Sequence, residues 1–285
     1  MADIKRLLDI MERLRDPEHG CPWDRAQTFK SIVPHTLEEA YEVADTIEQD
    51  NLAELCDELG DLLFQIVFYA QLAKEQGRFE FDDVIEAIAD KLVRRHPHVF
   101  ADMRFDSEQE QTRHWEMLKQ QERESKTAVS EDGTGQPPVR GSQMDGIARS
   151  LPALSLARKI QSRAAQVGFD WPDAKGVFAK LHEEIDELQQ AWKEPSKRAE
   201  EMGDLLFTCV NLCRHAEFDP EQILRQANQK FERRFRKMES LLGAGQSDKH
   251  TPQREVRVSE TKLADLTSEQ LEVLWEAAKR TESDV

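Results

Sequence analysis

Residues 38–64, EEAYEVADTIEQDNLAELCDELGDLLF, and residues 183–207, EEIDELQQAWKEPSKRAEEMGDLLF, carry one pattern twice. Each opens with E-E-x-x-E, crosses a polar spacer and closes with E-x-G-D-L-L-F. In register, Glu38 falls on Glu183, Glu58 on Glu201 and Asp61 on Asp204; further along, KLVRR (91–95) meets KFERR (230–234) within a few residues of drift. Motifs that recur in the same order mark an internal duplication. A helical unit that cannot cover its own apolar face can bury it against a copy of itself.

Apolar residues recur at i, i+3, i+4 and i+7 through 2–15, 36–49, 52–76, 82–95 and 107–124, then through 152–166, 174–193, 197–216, 220–241 and 267–280. Nothing comparable supports strands, and the chain is rich in Glu, Leu, Ala, Lys and Arg, which favour helix. The expected fold is all-α, built from two tandem helical-bundle repeats. Local chemistry suggests several ends: Asp3 or Asp82 as an N-cap, Pro34 and His35 ahead of a helix opened by Thr36, and a capping box over Thr267–Gln270. Pro97 should stop a helix, with His96 capping it. The stretch SKTAVSEDGTGQPPVRGSQMDG (125–146) has almost nothing to bury, as does 243–262. The expected division is therefore an N-terminal domain over 1–124, a flexible linker over 125–148, a C-terminal domain over 149–242, a flexible insertion over 243–265 and a last helix over 266–285.

Charge limits the partners. With 39 Lys plus Arg against 56 Asp plus Glu, the net charge of −17 should repel a nucleic-acid polymer or an anionic membrane. A small phosphorylated substrate stays compatible if some of the acids hold a divalent cation. Cys21, Cys56, Cys209 and Cys213 form no C-x-x-C pair, and the N-terminus reads as an amphipathic helix rather than a signal peptide, so a reducing, cytoplasmic setting is expected. Cys209 and Cys213 share a helix face in an apolar setting, which suggests core packing. No run reaches the roughly eighteen apolar residues of a membrane span.

Helical geometry gives the acids a use. At about 100° per residue, Glu184 and Glu187 lie on one face of a helix, and Glu201 and Asp204 stand in the same relation on the next. If the short connection around Glu194-Pro195-Ser196 makes the two helices antiparallel, the pairs face one another. Four carboxylates brought together repel and favour protonation, a cost that a divalent cation removes. All-oxygen ligation suits Mg²⁺ or Mn²⁺ better than Zn²⁺. Alone, E-E-x-x-E is better explained by a solvated helix face. Lys230, Arg233 and Arg234, with Asn228 just before them, form a basic strip suited to polyphosphate, or else an ion-pair ladder with Glu232 and Glu239. No His follows a Glu by three positions, which disfavours a di-iron carboxylate oxidoreductase, and Walker A spacing is absent.

Two tandem copies of E-E-x-x-E followed by E-x-x-D resemble the MazG family of nucleoside triphosphate pyrophosphohydrolases. GCPWDRAQTF (20–29), RRHPHVF (94–100), VGFDW (167–171) and KFERRF (230–235) extend the likeness over nearly the whole chain. The resemblance implies an all-α NTP pyrophosphatase fold, a homodimer, and Mg²⁺-dependent cleavage of a broad range of NTPs or dNTPs to monophosphate and pyrophosphate, with Mn²⁺ as a substitute. It makes Glu184, Glu187, Glu201 and Asp204 the metal ligands, and Lys197, Lys230 and Arg234 the phosphate cations. Lys180, Leu181, His182, Glu183 and Glu184 would border the nucleotide, with Arg198, Ala199, Glu200 and Asp204 from the next helix. Asn228, Phe231, Glu232 and Arg233 would join Lys230 and Arg234, and Trp275 would lie near the base. Glu183 or Glu200 would orient the attacking water, and Lys230 would act at the reacting phosphate.

The copies differ. Lys197 stands four before Glu201, whereas Glu54 stands four before Glu58, and Asn228 corresponds to Ala89. An acid beside a triphosphate is unfavourable, which points to the C-terminal copy as the main catalytic site. The N-terminal copy keeps Glu39, Glu42, Glu58 and Asp61 as a second metal site, with Lys91 and Arg95. It would bind metal, act on another nucleotide or serve dimerisation. A non-catalytic module that binds nucleotides or docks a partner is the alternative for the whole chain.

Overall fold

The computed structural model describes residues 3–101, 142–244 and 262–283, and between 103 and 122 all but 109, 112, 116, 119 and 120. Among the described residues every regular element is helical. The chain divides into two compact units, Met1–Ser125 and Lys126–Val285. Most of the expected linker and insertion lies outside the described residues.

The N-terminal unit runs α1 (Ile4–Leu14), α2 (Pro22–Ala26), α3 (Phe29–Glu48), α4 (Leu55–Glu75), α5 (Phe81–Arg95) and α6 (Pro97–Phe100). Asp3 caps α1 as expected, accepting from the Lys5 amide at 3.1 Å. The start of α3 does not fall at Thr36. The Thr28 side chain accepts from the Ser31 amide and the Ser31 hydroxyl accepts from the Thr28 amide, a reciprocal cap that opens the helix at Phe29 and leaves Pro34 inside it. Pro34 forfeits the bond its nitrogen would give to the Lys30 carbonyl. Fully buried Ile32, with Phe29 packed against the same core, anchors the extra turn and offsets that loss. Nor is Asp82 a cap: Glu80 occupies that position and Asp83 closes the box. His96 does cap α5, its Nδ1 lying 2.7 Å from the Leu92 carbonyl oxygen.

Met11, Ile32, Val67, Phe68 and Leu72 form the core of this unit. Arg15 stitches its rim. Its Nε and Nη2 donate to the two Glu75 oxygens at 2.8 and 2.7 Å, Nη1 donates to the Asp24 carbonyl, and the guanidinium lies 5.4 Å from the Phe68 ring centre. One side chain thus joins α1, α2 and α4. The turn before α2 requires Gly20, where a Cβ would meet the Leu14 carbonyl oxygen at 2.5 Å.

The C-terminal unit runs α7 (Ala153–Gln166), α8 (Ala174–Ala191), α9 (Pro195–His215), α10 (Pro220–Ala244), a 3-10 turn (Leu263–Asp265) and α11 (Ser268–Ser283). Pro195, with its φ already fixed for helix, opens α9 only three residues after α8 ends. Asp170 of the VGFDW motif ties the loop before α8 to the end of α9 through Arg214 and through His215 Nε2 at 3.2 Å. Trp171 lies over Gly176, where a Cβ would meet the indole at 2.6 Å. The expected box over Thr267–Gln270 is present.

The expected core packing of the cysteines fails: Cys209 is exposed and Cys213 half-buried, because the apolar face of α9 that carries Leu206 and Phe207 is itself left open. A Cβ at Gly203 or at Gly60 would meet open space. No helix is long and apolar enough to cross a membrane.

Replacing Arg15 by Leu is expected to remove about 2 kcal/mol from the stability of the full chain, measured by chemical denaturation at neutral pH. Arg15 holds the Glu75 carboxyl below its ordinary range, so the contribution is full above about pH 4.5 and fades as Glu75 protonates at lower pH. The gap between wild type and R15L should narrow accordingly on acidification, leaving the part that comes from the Asp24 carbonyl and the Phe68 ring.

Candidate functional site

The hairpin of α8 and α9 brings acids together as the spacing predicts. One carboxylate oxygen from each of Glu184, Glu201 and Asp204 lies within 4.8 Å of the others. Glu39, Glu58 and Asp61 repeat the triangle on α3 and α4. Glu184 is only 3% exposed, since its turn of α8 faces the hairpin partner, whereas the flanking Glu183 and Glu187 are exposed. The fourth expected ligand of each set, Glu187 or Glu42, stands outside the triangle. Both still act on it through their charge.

Crowding leaves an electrostatic mark. Desolvation, then Glu187, Asp204, Glu184 and Glu200, push the Glu201 carboxyl above its ordinary range. In the other copy desolvation and neighbouring acids raise Glu58 and Glu39 likewise.

The copies differ in what answers this charge. In the C-terminal copy, Lys180 reaches Glu184 Oε1 at 2.7 Å and Glu183 Oε1 at 2.9 Å, and those two acids raise its pKa. Four residues before Glu39 stands His35, whose ring is edge-on to Trp23 at 5.7 Å and whose Nδ1 lies 3.7 Å from Glu38. Glu39 instead accepts a bond from the Gln65 amide at 3.3 Å.

The remaining expected residues fall into separate groups. Lys197 is turned to Glu194 in the α8–α9 connection at 2.9 Å, and Arg198 lies over the Trp192 ring and donates to its carbonyl. Ala199 and Glu200 are exposed on the same turn; Leu181 is half-buried and His182 bonds back to the Phe178 carbonyl. On α10, Asn228, Lys230, Phe231, Glu232 and Arg233 are exposed and Arg234 is half-buried. Glu232 pairs with Arg236 at 2.5 Å, a cation outside the ladder weighed as the alternative for this helix. Trp275 docks on this strip, 5.2 Å from the Phe231 ring and 5.9 Å from the Arg234 guanidinium. In the N-terminal copy Lys91 is half-buried, and Arg95 is joined by Arg94 in gripping Glu122, whose carboxyl drops to about 2.

Sequence reasoning missed three of these partners. The Lys180–Glu184 pair was open to detection, because its i, i+4 spacing puts both groups on one helix face. Gln65 and Glu122 had no such signal, since each meets its partner across helices.

The chain matches the MazG nucleotide pyrophosphohydrolase domain twice, over residues 27–100 and 174–238, and each match contains one carboxylate triangle. It is 49% identical to the nucleoside triphosphate pyrophosphohydrolase of Escherichia coli K12, with all of both chains covered. It is 43% identical to the nucleoside triphosphate pyrophosphohydrolase/pyrophosphatase MazG of Thermotoga maritima, over 97% of this chain and 95% of that one. Its likeness to YabN of Bacillus subtilis, 37% identical, covers 96% of this chain and 51% of that longer protein. With the acidic motif matched in both copies and a full-length relative at this identity, the chain belongs to the MazG nucleotide pyrophosphohydrolase family.

Proposed function

We propose that the chain hydrolyses a broad range of NTPs and dNTPs to the monophosphate and pyrophosphate, with Mg²⁺, replaceable by Mn²⁺, held by Glu184, Glu201 and Asp204. The observation that carries this reading is the convergence of three carboxylate oxygens within 4.8 Å at a partly buried helix hairpin. The names of the E. coli and T. maritima relatives support the reaction.

The donor set fits a hard cation. All three ligands are oxygens, Glu184 is buried, and the ammonium of Lys180 already rests on it, as a positive charge would. When bound, the cation supplies charge neutralisation at the scissile phosphate and acidifies a water. The chain's own residues would do the rest. Lys180, displaced from Glu184, becomes free to meet a phosphate oxygen, and Glu183 loses its grip at the same moment. Exposed Glu200, or Glu183 once released, accepts the proton of the attacking water. Lys197, Lys230 and Arg234 offer further cations, and Phe231 with Trp275 offers an aromatic wall to the base. Glu187 would join as a ligand only through a small side-chain swing.

The exposed apolar side chains of α9, Leu206 at 54% and Phe207 at 42%, support a homodimer in which a second copy covers them. Cysteines that form no C-x-x-C pair support a reducing, cytoplasmic setting, and the excess of acid supports a small-molecule enzyme rather than a nucleic-acid or membrane protein.

Two measurements test this reading. Purified protein with NTP and Mg²⁺ should release pyrophosphate, and Glu201→Ala with Asp204→Ala should lower the rate by about 100-fold or more, whereas Glu58→Ala with Asp61→Ala should retain most of it. Nucleotide binding without turnover would favour the non-catalytic module, and release of orthophosphate would mean that a different bond is cut. Separately, Lys180→Met should lower stability by about 2 kcal/mol in EDTA, because it leaves buried Glu184 without its cation, and Mg²⁺ should restore most of the loss.

A further inference from the structure

The two triangles are built alike but neutralised differently. In the register that pairs Glu58 with Glu201, Gln65 corresponds to Thr208. Both are buried, at 6% and 7% exposure. Gln65 is long enough to reach the triangle: Nε2 donates to Glu39 Oε1 at 3.3 Å, whereas Oε1 is buried and has no hydrogen-bond partner among the described residues.

An orphaned buried amide oxygen costs about 1–3 kcal/mol, and an amide placed here for packing alone would be better replaced by an apolar side chain of the same size. Rotating the amide does not help, since it would set the oxygen against the Glu39 carboxylate. The uncommitted oxygen therefore suits a donor that arrives with something else. The triangle beside it lacks the ammonium that Lys180 gives the other copy, because position 35 is His and its ring is committed to Trp23 and Glu38.

We propose that Gln65 is a positioning residue of a cation site in the N-terminal copy, holding Glu39 through Nε2 and keeping Oε1 for a water of the bound divalent ion. The proposal rests on reading the carboxylate triangles as cation sites. It gives the two copies different characters: one waits with an internal lysine in place of the ion, the other with an unmet acceptor that only the hydrated ion satisfies.

The test uses the full chain carrying Glu201→Ala and Asp204→Ala, so that the N-terminal triangle dominates, with Mn²⁺ as the probe. Free Mn²⁺ is read by EPR, and melting temperature is recorded with EDTA and with Mn²⁺. Adding Gln65→Met should weaken Mn²⁺ binding about tenfold while leaving the EDTA melting temperature unchanged or higher, because an orphaned polar group has been removed. Adding Gln65→Glu, which keeps an oxygen but replaces the donor to Glu39 with a further charge, should lower the EDTA melting temperature and enlarge the Mn²⁺-induced rise. Unchanged Mn²⁺ affinity in Gln65→Met would overturn the proposal, as would a fall in affinity matched by a fall in EDTA stability, or a Mn²⁺-induced rise in Gln65→Glu no larger than the parent's. If Mn²⁺ binds no better to the parent than to the same chain with Glu58→Ala and Asp61→Ala added, the N-terminal triangle is not a cation site and the reading beneath the proposal fails with it.

Discussion

Repulsion among carboxylates on consecutive helices is the constraint around which both halves of this chain are arranged. One acid of the first helix and two, one turn apart, of the next lie within 4.8 Å of one another, and the rest of each unit keeps that arrangement from springing apart. Burial holds Glu184 in the C-terminal hairpin, and the α8–α9 connection begins the second helix on a proline whose geometry leaves little freedom. The Asp170 link to Arg214 and His215 ties the two helices together at their far end. The N-terminal hairpin has a larger apolar core, with Phe68 and Val67 of α4 wholly buried, and Arg15 fastens its edge. In each unit apolar packing and distant ion pairs resist a strain that the acids cannot relieve themselves.

Duplication lets the two solutions be compared. The first-helix acid of the triangle, Glu184 or Glu39, is met by an i−4 lysine in one copy and by a glutamine from the facing helix in the other. A lysine on the same helix compensates charge at once, though it must be displaced before an ion can use the oxygen it covers. A cross-helix amide compensates less. The basic segments diverge as well: KLVRR places Arg94 and Arg95 on Glu122, whereas in KFERRF Arg234 sits against Trp275. One copy has turned its arginines to an internal acid, and the other sets Arg234 against the Trp275 ring.

Periodicity made the helices legible, because amphipathic spacing is a property of a single segment. Repetition made the triangles legible, since the same spacing twice is improbable without a shared use. Failures came where a neighbouring element decides the outcome. Pro34 read as a barrier because its local preference is strong, yet burial of Ile32 and the Thr28–Ser31 cap outweighed it. Asp82 read as a cap because the residue type is favourable, while Glu80 and Asp83 took that geometry between them. Cys209 read as core because its neighbours are apolar, but no described helix covers that face. Glu187 shares a helix face with Glu184, as its 60° offset implies, but only buried Glu184 of the pair lies in the close triangle, because burial depends on the facing helix.

Gly60 and Gly203 each sit between the acids of an E-x-G-D turn with open space where a Cβ would be. Alanine at such a helical position is favoured by about 1 kcal/mol, and packing inside the chain gives no reason to forgo it. Each of these helices thus lacks a side chain between its two acids. The consequence is a trade of heat tolerance for compliance: a turn without a Cβ leaves the two carboxylates more freedom to shift as the charge around them changes.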